Sequence, residues 1–393
     1  NYCGKQRRMN SFILQQQKEV IALAQFDIKD AVLKKCLLKE DETVITVPDG
    51  VTTIGKDALC GLQSVISVTL PESLKVINDG AFYGCSSLTS VTLPGSVERL
   101  GSCAFAQCST LNKIYLDNKL TEIGNSAFWG CTSLESIDIP AGVTKIGYNL
   151  FGSCLSMISV SLPDTVTELD ERAFKECTSL ACITLPDNLT KIGNMAFLNC
   201  HNLKSVNIPD RLESIGEKAF FMCESLHELE IPDGIASVGG DAFSDCVSVT
   251  VRNTISGKPL YKAVTATDGS SAYNFILRNI WGKDGFDFAA QDNYFPALQD
   301  ENLQYAIAFS RLMYRVSLSA SAEEHYLDFL HNNAENAVRY CITQDSAELL
   351  GICKENGLIT AGNVTGLIEF ADEQGNTSAA AFLLTVANSP EHD

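Results

Sequence analysis

Apolar side chains recur at intervals of 23 residues between residues 54 and 246. Three columns of this pattern can be followed along the chain. The aliphatic column is Ile54, Ile77, Leu100, Ile123, Ile146, Leu169, Ile192, Ile215 and Val238; the aromatic column is Phe82, Phe105, Phe128, Phe151, Phe174, Phe197, Phe220 and Phe243; the cysteine column is Cys85, Cys108, Cys131, Cys154, Cys177, Cys200, Cys223 and Cys246. A unit this short cannot bury its apolar columns alone. The pattern therefore predicts units that stack as a solenoid.

Each unit also contains a short strand that ends at a proline. Apolar and polar residues alternate before the proline, which is the period of a β-strand. Proline favours a turn and cannot donate to a sheet ladder, so the strand must stop there. The prolines are Pro94, Pro140, Pro163, Pro186 and Pro209, and Asp117 replaces one of them. The pattern predicts a β-rich solenoid with one strand-lined face.

The position after each aliphatic-column residue holds only Gly, Asn or Asp. These residue types tolerate a left-handed backbone. We therefore expect a positive φ at all nine positions and expect a β-branched residue at Gly124 to destabilise its coil. The column is Gly55, Asn78, Gly101, Gly124, Gly147, Asp170, Gly193, Gly216 and Gly239.

The unit from Cys85 to Phe105 resembles the BspA-type leucine-rich repeat. It has the form Cys-x-x-Leu-x-x-Val-x-Leu-Pro-x-x-Val, followed by Leu100-Gly101 and Ala104-Phe105. The resemblance covers roughly residues 45–250 and implies a leucine-rich-repeat solenoid, a right-handed curved coil. It also implies a non-catalytic interaction protein of the bacterial cell surface or a secreted one, with adhesion to host matrix proteins for some members.

The two ends of the chain depart from the 23-residue period. We predict an N-terminal cap over residues 1–50, with a helix at 9–24 and a hairpin that pairs residues 32–38 with 44–47. The solenoid would cover residues 51–252, and a linker with a hairpin of residues 261–265 and 273–280 would cover 253–285. A smaller all-α domain of ankyrin-like helix pairs would follow at 286–393. Its predicted helices are 302–315, 323–342, 345–356, 363–374 and 377–387, with C-terminal caps at Gly357 and Gly375.

The composition and the motifs argue against several classes of function. The net charge is −19, from 29 basic and 48 acidic side chains, so a nucleic-acid partner is disfavoured. No apolar run reaches the ~18 residues of a transmembrane segment. Motifs of hydrolases, metalloproteases and phosphate-binding loops are absent, and the sequence holds only five histidines. We therefore expect no enzyme, no cofactor and no metal, and we expect a monomer.

The cysteine column allows a metal or redox hypothesis as well as a packing hypothesis. Cysteine is among the most buried residue types and behaves as a small hydrophobic side chain. Leu62 takes its place in the first copy, which a metal ligand would not permit. We therefore interpret the column as structural.

The outward positions of the strands are the best candidates for partner binding, because side chains alternate between the two sides of a strand. The alternative is that their Ser and Thr residues are merely soluble residues that suit a strand. Lys113 and Tyr115 combine a cation with an aromatic ring and are the predicted anchor. The candidate residues are Ser90, Thr92, Lys113, Tyr115, Ser136, Asp138, Ser159, Ser161, Thr184, Ser205, Asn207, Glu228 and Glu230.

Two functional hypotheses follow. The first is an adhesion or interaction protein, at the cell surface or secreted, whose strand face binds a protein or glycan, with host extracellular matrix among the candidates. The second is an intracellular, cytoplasmic scaffold with an ankyrin-like tail, which the many thiols and the acidity favour.

Overall fold

The computed structural model describes residues 24–38, 42–227, 229–243, 248–252, 259–264, 281–282, 285–286, 288–298, 301–315 and 317–389. The predicted helix at 9–24 falls almost entirely outside these ranges, and so do Cys246, Glu228 and the predicted strand at 273–280. The chain forms two compact units, Asn1–Lys204 and Ser205–Asp393. The domain boundaries expected from the sequence stay a prediction.

Twenty-four strands lie in the described residues, and most are only two or three residues long. Two strands open the chain: β1 (Gln25–Lys29) and β2 (Val32–Leu37). The first row of repeat strands is β3 (Val44–Thr46), β5 (Ser67–Thr69), β7 (Ser90–Thr92), β9 (Lys113–Tyr115), β11 (Ser136–Asp138), β13 (Ser159–Ser161), β15 (Cys182–Ile183), β17 (Ser205–Val206) and β19 (Leu229–Pro232). The second row is β4 (Thr53–Ile54), β6 (Val76–Ile77), β8 (Arg99–Leu100), β10 (Glu122–Ile123), β12 (Lys145–Ile146), β14 (Glu168–Leu169), β16 (Lys191–Ile192), β18 (Ser214–Ile215) and β20 (Ser237–Val238). The remaining strands are β21 (Ser248–Arg252), β22 (Pro259–Val264), β23 (Trp281–Gly282) and β24 (Gly285–Phe286).

The strands of each row pair in parallel with residues one repeat apart. Val91 pairs with Ile114 in the first row, and Ile146 pairs with Leu169 in the second. In the first unit β3, β5, β7 and β9 form one sheet and β11 pairs with β13. This register confirms a solenoid built from 23-residue coils.

The hairpin at the start of the solenoid differs from the predicted one. β1 and β2 form it, around a two-residue turn in which Asp30 and Ala31 have φ of 53° and 61°. Two consecutive left-handed residues match the twist of paired strands. β2 then pairs in parallel with β4, and β3 pairs with β5. The predicted pairing of residues 32–38 with 44–47 is wrong, because each segment continues a different row of the solenoid.

The aromatic column fills the centre of the eight coils from Phe82 to Phe243, and Leu59 takes this position in the coil before them. The rings of Phe82 and Phe105 stack with centroids 4.8 Å apart, and those of Phe151 and Phe174 with centroids 5.4 Å apart. In the second unit Phe220 stacks on Phe243 at 6.1 Å. All eight phenylalanines are completely buried. Each coil therefore covers the apolar surface that its neighbour cannot bury alone.

The predicted left-handed column is wrong. None of those nine residues is among the described residues with positive φ; the left-handed residues lie two and six positions later, with φ between 51° and 72°. The first set is Asp57, Gly80, Cys103, Ser126, Asn149, Arg172, Met195, Lys218 and Asp241, and the second is Gly61, Gly84, Gln107, Gly130, Ser153, Glu176, Asn199 and Met222.

The left-handed turns direct backbone N–H groups at the next coil. Cys103 N donates to Asn125 O at 2.9 Å, and Gln107 N donates to Trp129 O at 2.7 Å. Left-handed backbone costs a non-glycine residue about 1–2 kcal/mol. These hydrogen bonds help to offset that cost, so residues as large as Arg172 occupy the position.

The glycines of the predicted column serve close packing instead. A Cβ on Gly193 would lie 2.5 Å from the carbonyl carbon of Asp170, and one on Gly55 would lie 2.7 Å from Leu33 O. A Cβ on Gly124 would overlap Ser102 N. The preference for glycine arises where the backbones of two successive coils approach most closely.

The second unit joins the last coils to a helical region. β18 pairs with β20, and β19 and β22 flank β21 in one sheet. The predicted strand at 261–265 largely matches β22, which pairs with β21. Its predicted partner at 273–280 lies outside the described residues, so that pairing stays a prediction. The helices are α1 (Phe288–Tyr294), a 3-10 turn (Phe295–Ala297), α2 (Glu301–Met313), α3 (Ala320–Asn332), α4 (Ala334–Thr343), α5 (Ala347–Glu355), α6 (Val364–Glu373) and α7 (Thr377–Ala387).

The helix predictions hold apart from two differences. The predicted helix 323–342 is two helices, α3 and α4, which break at Asn333, and α1 was not predicted. The break occurs because Asn333 has φ −126°, and its N–H bonds back to Leu330 O. Gly357 and Gly375 follow helix ends with φ of 69° and 70°, as expected of C-terminal caps.

Helices α4 to α7 form two helix pairs. Helix α4 contacts α5 and α6, and α7 contacts α5 and α6. Ser346 caps α5 by accepting a hydrogen bond from Leu349 N, and Asn376 caps α7 by accepting one from Ala379 N. The second pair therefore repeats the construction of the first about 30 residues later.

Candidate partner-binding face

The first row of strands builds the candidate site, which we call the strand face. Its inward side chains are core residues: Val91, Ile114 and Ile137 are 2%, 4% and 3% exposed. Because side chains alternate along a strand, the residues on either side of each inward one point outward. The repeat therefore places two outward side chains per coil at fixed spacing.

The structure exposes every predicted strand-face residue that it describes. In the first unit these are Ser90, Thr92, Lys113, Tyr115, Ser136, Asp138, Ser159, Ser161 and Thr184. In the second unit they are Ser205, Asn207 and Glu230. Glu228 lies outside the described residues. Their exposure is what binding requires, and their role in binding stays a prediction.

Lys113 and Tyr115 form one local cluster. The Lys113 Nζ atom lies 4.9 Å from the centroid of the Tyr115 ring, and Tyr115 is 54% exposed. A hydrogen bond with Tyr115 raises the pKa of Lys113, which keeps the ammonium charged. Thr92 pairs directly with Tyr115 in the neighbouring strand. An exposed ring, a cation and a hydroxyl thus lie side by side.

The coil of this cluster keeps its turn without proline. Leu120 N donates to Asp117 O at 3.0 Å, just as Val97 N donates to Pro94 O in the preceding coil. The Asp117 side chain adds a hydrogen bond from Lys119 N at 3.2 Å. Asp117 is therefore an acceptable replacement for proline and adds an exposed carboxylate two residues after Tyr115.

Three exposed apolar residues near the strand face were missed by sequence reasoning. Ile158 is 57% exposed and precedes Ser159, Ile66 in the same column is 45% exposed, and Leu155 in the coil of Ile158 is 42% exposed. Between Ile66 and Ile158, the same 23-residue column contains Thr89, Asn112 and Glu135. An apolar residue at an outward position that is polar in most copies is the sequence signal from which Ile158 could have been predicted. These side chains add apolar surface beside the hydroxyl-rich positions.

The cysteine column is part of the core. Six of its thiols each donate to a backbone carbonyl 26 residues earlier at 3.1–3.3 Å. The Cys131 thiol, for example, donates to Phe105 O at 3.2 Å. Burial raises the pKa of Cys131 to about 12, so the thiol stays protonated. Each thiol both fills space and satisfies a carbonyl of the left-handed turn.

Other kinds of site were sought in the described part of the chain. There, no three His, Cys, Asp or Glu side chains are grouped so as to hold a metal ion. Among those same residues, no helix has the length and apolar character needed to cross a membrane.

Comparisons with known proteins agree with the repeat geometry. A family model described as "BspA type Leucine rich repeat region" matches residues 27–158 and 144–258, in six copies. A search of curated proteins finds no match.

Several solved structures are similar to this chain. A leucine rich cell surface protein from Faecalibacterium prausnitzii shares 28% identity over 59% of this chain and 74% of its own, with a TM-score of 0.47. A leucine-rich repeat protein from Bacteroides ovatus shares 20% identity over 60% and 89%, with a TM-score of 0.38. The pneumococcal vaccine antigen PcpA shares 20% identity over 54% and 63%, with a TM-score of 0.36. Because the family model covers more than half of the sequence and matches the same repeats, this chain belongs to the BspA-type leucine-rich repeat family.

Proposed function

We propose that this chain is a non-catalytic interaction protein that binds a protein or glycan partner through its strand face, at the bacterial cell surface or after secretion. The observation that carries the proposal is the exposed outward column of the first row of strands. Hydroxyl, acidic, cationic and aromatic groups occur there at the spacing of the coils, around the Lys113–Tyr115 cluster.

The geometry suits recognition of an extended partner. Parallel pairing fixes successive outward residues about 4.8 Å apart across strands. The strands are part of a stacked core, so little conformational entropy is lost when a partner binds. Hydroxyl and carboxylate groups would accept or donate hydrogen bonds, and Tyr115 would supply buried contact area, as aromatic residues do at interface hot spots.

A direct binding experiment tests this proposal. The purified chain and a Lys113→Glu/Tyr115→Ala variant would be screened by surface plasmon resonance against extracellular matrix proteins and a glycan panel. We expect the variant to bind the captured partner at least tenfold more weakly than the unmodified chain does, because loss of a single interface anchor costs about 2 kcal/mol of binding free energy.

The matched control changes the same residue types away from the strand face. Lys56 and Tyr83 are both exposed and belong to the left-handed turns. A Lys56→Glu/Tyr83→Ala variant should bind as the unmodified chain does. Equal affinity of both variants for every captured partner would contradict the assignment of the Lys113–Tyr115 cluster.

The alternative function is that of an intracellular scaffold. It is favoured by one observation: in the described part of the chain, no two cysteines are joined by a disulfide bond. Reduced thiols are usual in the cytoplasm. The two functions differ in where the protein is found, and a localisation experiment separates them.

A further inference from the structure

Two cysteines of the helical region differ from the column in what their thiols contact. Cys341 lies in α4 and Cys353 lies in α5, and their Sγ atoms are 3.5 Å apart. Both residues are completely buried. A column thiol such as that of Cys131 donates to a backbone carbonyl, whereas these two thiols face each other across a pair of adjacent helices.

A shared metal ion does not explain this pair. Two thiolates leave at least two positions of a tetrahedral site empty. In the described residues, no third His, Cys, Asp or Glu completes such a cluster. In the reduced protein the contact is a thiol–thiol hydrogen bond, and two sulfurs this close can also be joined by a covalent bond.

We propose that Cys341 and Cys353 form an intramolecular disulfide that cross-links α4 to α5 when the chain folds in an oxidising compartment. A disulfide bond is about 2.05 Å long, so the two sulfurs must approach by roughly 1.5 Å. Rotations about the two Cα–Cβ bonds would supply this movement. The 12-residue separation closes a short loop around the turn between the two helices.

The oxidant is a low-molecular-weight disulfide such as oxidised glutathione. One cysteine thiolate attacks it, forms a mixed disulfide and releases one glutathione thiolate. The second cysteine then attacks the mixed disulfide at the protein sulfur and releases the second. The two cysteines lose two protons and two electrons, and the electrons reduce one oxidised glutathione to two thiols.

Burial of the two sulfurs determines whether this exchange takes place during folding or in the folded protein. Desolvation by burial, together with the hydrogen bond that the Cys341 thiol donates to Cys353, raises the pKa of Cys341 well above its usual range. The attacking species is a thiolate, which is scarce for such a group. Exchange is therefore expected during folding, before α4 and α5 close around the sulfurs, and is expected to be slow in the folded protein.

Trypsin gives a direct test, because cleavage after Arg339 and Lys354 releases residues 340–354, which contain both cysteines and no others. The full chain would be refolded from denaturant with oxidised glutathione, or in parallel with a reducing agent. Free thiols would then be alkylated in denaturant before digestion and mass spectrometry. We expect the peptide from the oxidised sample to carry no alkyl group and to be two hydrogens lighter than the dithiol.

Two outcomes would overturn the proposal. One is a peptide that carries two alkyl groups after oxidative refolding. The other is a peptide that carries glutathione on one cysteine and an alkyl group on the other. Either result means that the two sulfurs do not pair. This measurement needs no variant, so it remains decisive even if substitutions in the helical core prevent folding.

A stability measurement then tests the cross-link itself. Oxidised protein should unfold a few degrees higher than reduced protein, because the cross-link restricts the unfolded chain. A Cys341→Ala variant should show the same melting temperature in both conditions. If the oxidised form of this variant still melts at a higher temperature than its reduced form, the stabilisation comes from other cysteines. None of these results depends on whether the strand face binds a partner.

Discussion

The choice of residue type at single positions follows from how closely adjacent coils approach. Glycine at 124 and 193 is required by backbone contact between coils. The left-handed positions accept large residues such as Arg172 and Met195, whose side chains are only partly buried. From the sequence pattern we attributed the glycines of this column to left-handed backbone, which is the commonest reason for a glycine at a turn. That cause was wrong for this column.

Replacing Gly124 by valine tests the steric cause. The added Cβ would overlap Ser102 N and the carbonyl carbon of Gly101, so the coil must move apart. We expect the free energy of unfolding to fall by about 3 kcal/mol, since overpacking and strain of this kind cost that order. Urea denaturation followed by circular dichroism measures the change.

Gly84→Asn is the matched control for this substitution. Gly84 has a φ of 70°, and a Cβ there meets no atom within 4 Å. Asparagine tolerates this backbone. We expect its stability to lie within about 0.5 kcal/mol of the unmodified chain. A Gly124→Val variant as stable as the Gly84→Asn variant would contradict the steric explanation.

Neighbouring strands of the second row are also joined by exposed charges. Arg99 Nε lies 3.0 Å from Glu122 Oε2, and Lys145 Nζ lies 3.3 Å from Glu168 Oε2 and 3.0 Å from Asp170 Oδ2. Partial burial acts to raise the pKa of Asp170, but hydrogen bonds from Lys145 and Glu171 N lower it overall. The charged ladder therefore stabilises the stacking of coils only while its carboxylates are ionised.

Replacing Asp170 by asparagine tests this contribution. The pair is partly exposed to solvent, which weakens the attraction between the charges, so we expect a loss of about 0.5 kcal/mol at pH 7. A lowered pKa means that the stabilisation is complete above the unfolded-state pKa of about 4 and disappears as the pH falls through the folded-state value. Urea midpoints of the two proteins should therefore differ at pH 7, and the difference should be smaller at pH 3.

Asp187→Asn removes the same charge from an exposed turn of the solenoid. It should leave the midpoint unchanged at both pH values. An Asp170→Asn variant whose deficit stays constant down to pH 3 would show that lost packing, and not the ion pair, causes the effect.

The molecule as a whole buries its core in two ways. The coils stack nearly identical apolar columns, so each inner coil is covered by its two neighbours in the repeat series. The helical region has no such series and includes a buried polar group, Arg311, whose Nε donates to Asp292 at 2.9 Å while Tyr326 donates to the same carboxylate. The sequence period predicts the first kind of core residue by residue, but it contains no signal for the second.

At the scale of the whole molecule, we predict where in the source cell the protein is located. Intact source cells would be treated with an external protease and probed by immunoblot. We expect digestion of this chain while a cytosolic marker is spared, because the proposed partner lies outside the cell. Protection in intact cells, followed by digestion after lysis, would favour the intracellular scaffold.

The 23-residue period was sufficient to predict the coils, the inward columns and the exposed strand face, because the same packing contact is encoded in every copy. The strand order at the start of the solenoid, the left-handed turns and the break at Asn333 depend on distances between backbones, which hydrophobic spacing does not encode. Cys341 and Cys353 have no place in any period, and only the folding of α4 against α5 brings their sulfurs together. The contact between coils is encoded in each 23-residue copy, whereas a contact between two helices occurs once and arises from the packing of the folded chain.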